Sequence, residues 1–243
     1  MKEDILEIKH LKKSFGSNEV LKDISLTLKQ GENLAILGKS GSGKSVLIKC
    51  LVGLIEPDEG SIQLLDQNLM DLSNEDLNIL RKKVGFLFQS GALYDSMTVG
   101  ENLKFPLRNS VVKLKKEINL LVLDTLKNVG LEAAVDKMPS ELSGGMRKRV
   151  GLARTLILTP ELILYDEPTT GLDPITSKEI SELILEVQKK YNTSAIIITH
   201  DLECAKIAAN RVIILKDGLV HAEGTFLELS ESKDLWVRSF FNL

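Results

Sequence analysis

The sequence predicts an α/β fold in which helices cover both faces of a mostly parallel β-sheet. Strand-like and helix-like segments alternate through most of the 243 residues, which is the pattern of a parallel sheet with helical crossovers. Two apolar runs, 161–167 (ELILYDE) and 194–200 (SAIIITH), are rich in leucine and β-branched residues, as strands buried on both faces should be. An amphipathic segment of helical length, 174–191, lies between them.

The N-terminal elements can be assigned in order. The first thirty residues contain two strand-like segments, which predict antiparallel strands at the sheet edge. Residues 32–38 (ENLAILG) predict a short buried strand that ends at a glycine. Residues 43–54 then predict a helix with Leu47, Leu51 and Leu54 at helical spacing.

The next apolar run, residues 83–89, predicts another strand. The stretch from about 90 to 143 has helical signals with no buried strand between them, so we expect a helical insert. Residues 211–224 predict a hairpin that turns at KDG, 216–218. The last residues predict a short helix that carries the apolar cluster Leu235, Trp236, Phe240 and Phe241.

These elements predict one domain over residues 1–225, a size sufficient for a sizeable core. Its core is expected to comprise 1–89 and 146–225, and its helical subdomain 90–145. A C-terminal helical tail, 226–243, is expected to follow.

Composition narrows the class of protein. The net charge of −3 argues against a nucleic-acid binder. Two cysteines far apart in sequence, Cys50 and Cys204, indicate small buried side chains in a reducing compartment. The N-terminus does not have the pattern of a secretory signal, and no stretch approaches the roughly 18–20 apolar residues that span a bilayer. Work at a membrane would therefore require other subunits to supply the span.

The glycine-rich segment Gly38–Ser45 (GKSGSGKS) fits the pattern G-x-x-x-x-G-K-[ST], between a predicted strand and a predicted helix. Its glycines let successive backbone N–H groups point into one concavity at a helix N-terminus. Lys44 supplies a positive charge for the β- and γ-phosphates, and Ser45 supplies a hydroxyl for Mg²⁺. The pattern predicts phosphate binding by Gly38, Lys39, Ser40, Gly41, Ser42, Gly43, Lys44 and Ser45.

Polar side chains follow three of the predicted strands. Asp166 and Glu167 end one strand, His200 ends a second, and Gln89 ends a third. Because ligands of open α/β sheets bind at the carboxyl ends of the strands, we expect these side chains to face one site. Asp166 is placed to hold Mg²⁺ and Glu167 to polarise an attacking water. His200 could contact a γ-phosphate, although a lone histidine is more often structural.

The segment 142–146 (LSGGM) opens a basic helix that could grip nucleic acid, lie as a solvated surface helix or hold a phosphate, since free N–H groups and the helix dipole at a helix start favour an anion. Apolar residues recur at helical spacing along this helix: Met146, Val150, Ala153 and Ile157. We expect the basic triplet 147–149 to lie near the surface, either as a solvated face or close to a nucleotide.

Together these motifs resemble the nucleotide-binding subunit of an ABC transporter, in family order and over roughly residues 3–225. Gly38–Ser45 resembles Walker A, and Asp166 with Glu167 resembles the end of Walker B with its catalytic carboxylate. The remaining matches are Gln89 to the Q-loop, 142–146 to the signature (usually LSGGQ), 170–174 (TGLDP) to the D-loop, His200 to the switch histidine and Phe15 to the aromatic residue that stacks on adenine.

The resemblance implies a P-loop NTPase (RecA-like) fold, ATP and Mg²⁺ as ligands, and a homodimer in the ATP-bound state. Ser45, Gln89 and Asp166 would handle Mg²⁺, while Glu167, His200 and Gln89 would serve hydrolysis. Ser143, Gly144 and Gly145 would close over the ATP of the other subunit. Met146 departs from the usual glutamine and cannot make its hydrogen bonds, which puts that residue's role in doubt here.

Within the family, residues 87–107 and 142–154 are similar to the ATPases of Mla-type phospholipid transport systems, as is the C-terminal WVRSFFNL. This implies phospholipid transport between inner and outer membranes, from the cytoplasmic face of the inner membrane. The implied partners are integral membrane permease subunits, a periplasmic substrate-binding subunit and a small accessory subunit at the tail, with no nucleic acid. The tail could equally dock on its own domain.

Three residues of the insert, Tyr94, Met97 and Val99, are candidates for the groove that receives the permease, or for the insert's own core. Other functions stay open as well. They are an importer of a small polar solute, a glycolipid exporter and, in another class, a soluble ATPase that acts with nucleic acid or the ribosome.

Overall fold

The protein's architecture was determined from a computed structural model that describes residues 3–109 and 115–241. Residues 1–2 and 110–114 of the predicted domain, and 242–243 of the predicted tail, lie outside the described residues. The strands are β1 Asp4–Phe15, β2 Asn18–Lys29, β3 Asn33–Gly38, β4 Glu59–Leu64, β5 Gln67–Asn68, β6 Val84–Leu87, β7 Leu162–Asp166, β8 Ser194–Ile198, β9 Arg211–Lys216 and β10 Leu219–Gly224. The helices are α1 Lys44–Leu51, α2 Asn74–Arg81, α3 Val99–Lys104, α4 Lys115–Lys127, α5 Gly144–Leu156, α6 Pro174–Tyr191, α7 Leu202–Ala208, α8 Phe226–Ser230 and α9 Leu235–Arg238.

The described strands form one sheet in the order β5-β4-β1-β2-β10-β9-β3-β8-β7-β6. The five strands from β9 to β6 are parallel, and β10 pairs antiparallel with β9 through the predicted hairpin. The α/β fold with a mostly parallel sheet is therefore confirmed. The carboxyl ends of β3, β6, β7 and β8 meet at one edge, where the polar residues of the predicted site follow them.

The antiparallel end of the sheet differs from the prediction in one respect. β1 and β2 pair antiparallel as expected, but β4 and β5 lie outside β1, so the first two strands are not at the edge. Residues 59–68 (EGSIQLLDQN) hold few apolar residues, and their alternation is confined to Ile62 and Leu64, which are the two that enter the core. That composition hides the two strands from sequence analysis.

Hydrophobic side chains leave both faces of the sheet and pack under helices on each side. On β8, Ile196 belongs to the cluster that includes Leu47 of α1, whereas its neighbour Ile197 belongs to the cluster that includes Val150 of α5. Adjacent residues of a strand point to opposite faces. This alternation explains why 194–200 reads as a continuous apolar run.

The phosphate-loop helix is shorter than predicted. α1 ends at Leu51, and Gly53 follows in a left-handed conformation with φ 64°. Leu54 consequently lies beyond the helix and is 62% exposed, so the prediction that it shares the apolar side of Leu47 and Leu51 is wrong.

The helical insert contains α3 and α4, which pack against α5 within the same core cluster as the sheet residue Tyr165. Val99 is fully buried in that core, whereas Tyr94 is exposed and contacts the Phe105 ring. Of the three groove candidates, Val99 is thus a core residue. The division into core 1–89 and 146–225 and subdomain 90–145 stays a prediction.

The C-terminal tail docks on its own domain. Val237 is buried beside Ala35 and Val212 of the sheet, and Trp236, Phe240 and Phe241 pack partly buried against the same cluster. Leu235 instead points outward and is exposed. Among the described residues no helix combines the length and apolar character needed to cross a bilayer.

Candidate nucleotide site

The phosphate loop connects β3 to α1 and leaves the sheet at a strand that lies between β9 and β8. Gly43 is the residue before α1 and has φ 101°, a left-handed conformation that favours glycine. A Cβ atom at this position would lie 2.6 Å from Leu21 Cδ2 and 3.0 Å from the Val20 carbonyl oxygen. The loop can therefore curl in this way only with glycine at position 43.

Lys44 begins α1, and its side chain reaches back to the start of the loop. Its Nζ donates hydrogen bonds to the carbonyl oxygens of Gly38 at 2.7 Å and Lys39 at 3.1 Å. Burial lowers the pKa of Lys44, and the charges of Glu167 and Asp166 oppose that shift. A partly desolvated ammonium beside backbone N–H groups is suited to bind a polyphosphate.

Two acidic residues stand at the carboxyl end of β7, which is separated from β3 by β8. Burial raises the pKa of Asp166, as does the adjacent charge of Glu167, while Lys49, Lys148 and Lys44 oppose the rise. Bringing a divalent cation to this position would relieve the repulsion between the two carboxylates. The donor set therefore fits a hard metal ion, which prefers carboxylate oxygens.

Glu167 is held in an unusual conformation, with φ 51°. Its N–H donates to the Ile198 carbonyl oxygen at 2.9 Å. Its carboxylate atom Oε2 accepts a hydrogen bond from Thr170 Oγ1 at 3.1 Å and lies 2.8 Å from His200 Nδ1. The glutamate side chain is 17% exposed and the histidine side chain 70% exposed, so the carboxylate is positioned from one side while the imidazole remains accessible.

These groups surround a single cavity of about 590 Å³. Gln89 reaches it from two residues beyond the end of β6, and His200 from two residues beyond β8. The residues that line it are Asn18, Val20, Gly38, Ser40, Gly41, Gly43, Lys44, Ser45, Val46, Gln89, Asp166, Glu167, Ile198 and His200.

Three residues predicted at the site are not among its lining residues, although they lie in or near the same elements. Lys39 lines a smaller cavity beside Leu202 and Phe240. Ser42 is buried inside the loop, and its hydroxyl has no hydrogen-bond partner among the described residues. Phe15, at the end of β1, is 49% exposed with Lys13 Nζ 5.6 Å from its ring centroid.

The signature segment is likewise outside the cavity. Ser143 precedes α5, and its Oγ accepts a hydrogen bond from Met146 N at 3.2 Å. Ser143 and Gly144 are exposed, whereas Gly145 is buried and packs against Thr176 of α6. The exposed start of α5 thus presents backbone N–H groups to the surroundings of this chain.

The basic triplet after the signature is only partly where the sequence predicted it. Arg147 is exposed, and Arg149 is half-buried, with Nη2 2.9 Å from Glu179 Oε2. Lys148 is 5% exposed and donates from Nζ to the Glu167 carbonyl oxygen at 3.1 Å. The prediction that the triplet lies near the surface is wrong for Lys148, because residues after β7 cover the side of α5 opposite its apolar stripe.

Sequence analysis also missed Asn18 and Val20, which line the cavity from the start of β2. Neither carries a motif that could have identified it, since a branched apolar residue and an asparagine in a strand are common. Thr170 had been noted within TGLDP, but its hydrogen bond to Glu167 depends on the turn that follows β7.

Comparison with known proteins agrees with this geometry. Residues 21–170 match the family model described as ABC transporter. The chain is 40% identical to the probable ribonucleotide transport ATP-binding protein mkl of Mycobacterium leprae, covering 98% of this chain and 68% of that protein. It is also 40% identical to the intermembrane phospholipid transport system ATP-binding protein MlaF of Haemophilus influenzae, covering 99% of this chain and 91% of that one.

A solved structure shows the same fold in a dimer. The ATP-binding cassette MJ0796, described as the dimeric post-hydrolysis state bound to ADP and Pi, superposes with a TM-score of 0.82 and 33% sequence identity, covering 91% of this chain and 98% of that one. The resemblance to ABC ATPases and the similarity to Mla-type subunits are both confirmed. The chain belongs to the ABC transporter family, as a nucleotide-binding ATPase subunit of a transporter.

Proposed function

We propose that the chain binds ATP with Mg²⁺ in the 590 Å³ cavity and hydrolyses it by transfer of the γ-phosphoryl group to water. One observation carries this proposal: the Glu167 carboxylate, held by Thr170 and close to His200, faces the same cavity as Lys44. A fixed carboxylate opposite a phosphate-binding ammonium is the arrangement that in-line attack by water requires.

The residues predicted at the site take the following parts in this proposal. Lys44 and the amides of the loop 38–45 bind the phosphates, Glu167 orients and deprotonates the attacking water, and His200 contacts the γ-phosphate. Phe15 stacks on the adenine.

The Mg²⁺ ligands would come from three elements at this sheet edge. Ser45 offers a hydroxyl, Gln89 an amide oxygen and Asp166 a carboxylate, all of them cavity-lining oxygen donors of the kind that Mg²⁺ prefers. The ion would neutralise charge on the β- and γ-phosphate oxygens. Asp166, whose pKa is raised by burial and by Glu167, gains a favourable countercharge from it.

We further propose that two copies complete each site. Ser143 and Gly144 are exposed at the start of α5 yet lie outside the cavity of their own chain. Free N–H groups and the helix dipole favour an anion there. A second copy, arranged head to tail, would place Ser143, Gly144 and Gly145 over the γ-phosphate. The dimeric form of MJ0796 supports the pairing of two copies.

The transported substrate is proposed to be phospholipid moving between inner and outer membranes. The similarity to MlaF over nearly the whole of both chains supports it, together with LSGGM and the segment 87–107. The chain would then act at the cytoplasmic face of the inner membrane, beneath permease subunits and with a periplasmic substrate-binding subunit. A small accessory subunit is proposed to bind near the tail, on the exposed side that carries Leu235.

The rival is transport of a polar solute, which the equal identity to a ribonucleotide transport protein favours. The test is reconstitution of the complete complex, purified from native membranes, into vesicles loaded with a fluorescent phospholipid. We expect ATP-dependent phospholipid transfer to acceptor vesicles, and no transfer with Glu167→Gln. Uptake of ribonucleotides without lipid transfer would contradict the phospholipid assignment. ATP turnover stimulated by DNA, RNA or ribosomes would contradict a transport role altogether.

A further inference from the structure

Lys148 is the only lysine, arginine, aspartate or glutamate that is buried in the described parts of the chain. Removing an ammonium group from water is costly unless a partner compensates. Burial accordingly lowers the pKa of Lys148, and the charges of Glu167 and Asp166 oppose that shift. A side chain retained here at such a cost calls for a role beyond packing.

The hydrogen bond that Lys148 makes is with the backbone of the proposed general base. Its Nζ donates to the Glu167 carbonyl oxygen at 3.1 Å. On the other side of the same residue, the Glu167 N–H donates to Ile198 at 2.9 Å. Both polar backbone groups of Glu167 are therefore held: the N–H by the sheet, and the carbonyl oxygen by Lys148 together with the Thr170 N–H, which donates to it at 3.3 Å.

This clamp acts where the backbone is strained. Glu167 has φ 51°, a left-handed conformation that a residue other than glycine keeps only when its surroundings enforce it. The direction of the Glu167 side chain follows from that conformation. The contacts of its carboxylate with Thr170 and His200 therefore depend on the clamp.

The position of Lys148 in the fold also connects it to the other proposed nucleotide-binding segments. It lies on α5, five residues after Ser143, and borders a groove of about 440 Å³ together with Gln89, Gly144 and Thr170. Lys148 therefore borders the same groove as Gln89 and the exposed start of α5.

We propose that Lys148 is a positioning residue for ATP hydrolysis, which holds the Glu167 backbone in its left-handed conformation and ties it to the helix that begins at Ser143. The inference rests on the proposed role of Glu167 as general base. Lys148 does not line the cavity, and its direct contact with the site is the hydrogen bond to the Glu167 carbonyl oxygen.

The test compares Lys148→Met, which keeps a chain of similar length without a donor, with Lys148→Arg, which keeps the charge. Loss of a buried charged hydrogen bond predicts a kcat about tenfold lower for Lys148→Met, with the KM for ATP within about twofold of wild type. Lys148→Arg should recover a measurable part of kcat. Lys189→Met, which removes an exposed lysine from α6, is the matched control and should keep wild-type kcat.

A second substitution separates positioning from general destabilisation. In a Glu167→Gln background, Lys148→Met should lower the residual turnover no further, because the base it positions is already gone. Lys148→Leu removes both the charge and the donor should the methionine variant fail to fold, and should show the same loss of kcat.

Three outcomes would overturn the inference: wild-type kcat in Lys148→Met, no recovery in Lys148→Arg, or an equal fold-loss in the Glu167→Gln background. Failure of the proposed function is distinguishable from these. In that case Glu167→Gln alone would hydrolyse ATP at the wild-type rate.

Discussion

Replacing Glu167 by glutamine removes the proposed general base while leaving its surroundings nearly unchanged. The amide has the size of the carboxylate, and its oxygen can still accept from Thr170 Oγ1, which lies 3.1 Å from Glu167 Oε2. The substitution changes no atom of the backbone, so the left-handed conformation at φ 51° is kept. The variant therefore tests proton acceptance rather than folding.

The expected loss of turnover follows from the chemistry that is removed. General-base catalysis contributes a rate acceleration of about 10²- to 10⁴-fold. Its loss should raise the activation barrier by about 3–5 kcal/mol. ATP binding should be unchanged or tighter, because a negative charge beside the phosphate site disappears. The pKa of Asp166, which Glu167 helps to raise, should fall. ATP should consequently persist in the site, and the ATP-bound dimer should accumulate.

Phosphate release at saturating ATP gives kcat, equilibrium binding of a fluorescent ATP analogue gives the affinity, and light scattering with ATP gives the oligomeric state. Glu161→Gln is the matched control, since Glu161 is an exposed glutamate whose Oε1 lies 3.0 Å from Lys83 Nζ. Its turnover should stay close to wild type. Turnover of Glu167→Gln within about twofold of wild type at saturating ATP would refute the reasoning.

Three further predictions concern binding, assembly and stability. Lys44→Met should weaken ATP binding by at least about tenfold, measured by equilibrium titration, because the ammonium that now bonds to Gly38 and Lys39 is lost; unchanged affinity would contradict the phosphate-binding role. Ser143→Arg should abolish hydrolysis while the monomer keeps its affinity for ATP, so equal loss of both would argue against a site shared between copies. Glu32→Gln should lower the free energy of unfolding by about 2 kcal/mol at pH 7, because Glu32 accepts from Arg211 at 2.7 Å. Burial acts to raise the pKa of Glu32, but the hydrogen bonds from Arg211 and the Lys29 N–H, together with the charges of both residues, outweigh it, and the pKa is lowered from 4.5; the stabilisation is therefore complete above about pH 4.5 and lost as pH falls through the lowered value. Denaturant unfolding of both proteins at pH 7 and pH 3 should show the difference shrink, and an equal difference at both pH values would contradict this origin.

A feature could be predicted from the sequence where the contacts that fix its structure are made by residues close together in the chain. The loop 38–45 is recognisable because strand, glycines and helix follow one another directly, and each acts on its neighbours. Asp166, Glu167 and His200 could be assigned to one site because parallel strands end at the same edge of the sheet. Their exact contacts, such as that between His200 Nδ1 and Glu167 Oε2, emerge only from the structure.

The features that escaped prediction are set by packing between distant segments. Lys148 has the sequence context of a surface lysine, and it is buried because the turn after β7 covers its side of α5. Nothing in the sequence of residues 147–149 indicates that this distant turn packs against them. The docking of Val237 against Val212 is of the same kind. From the sequence alone, an aromatic-rich tail could equally cover its own domain or another chain. Which of the two it covers depends on where a matching apolar surface lies, and that surface is visible only in the structure.

The central claim, that each ATP site is built from two copies, can be tested by mixing two inactive variants. A dimer of Glu167→Gln with Ser143→Arg contains one site with both defects and one site with neither. Random assembly should therefore restore about a quarter of wild-type turnover, since half of the dimers carry one intact site of two. Each variant assayed alone at the same total concentration should hydrolyse ATP very slowly. Turnover of the mixture no greater than the sum of the separate variants would contradict the account.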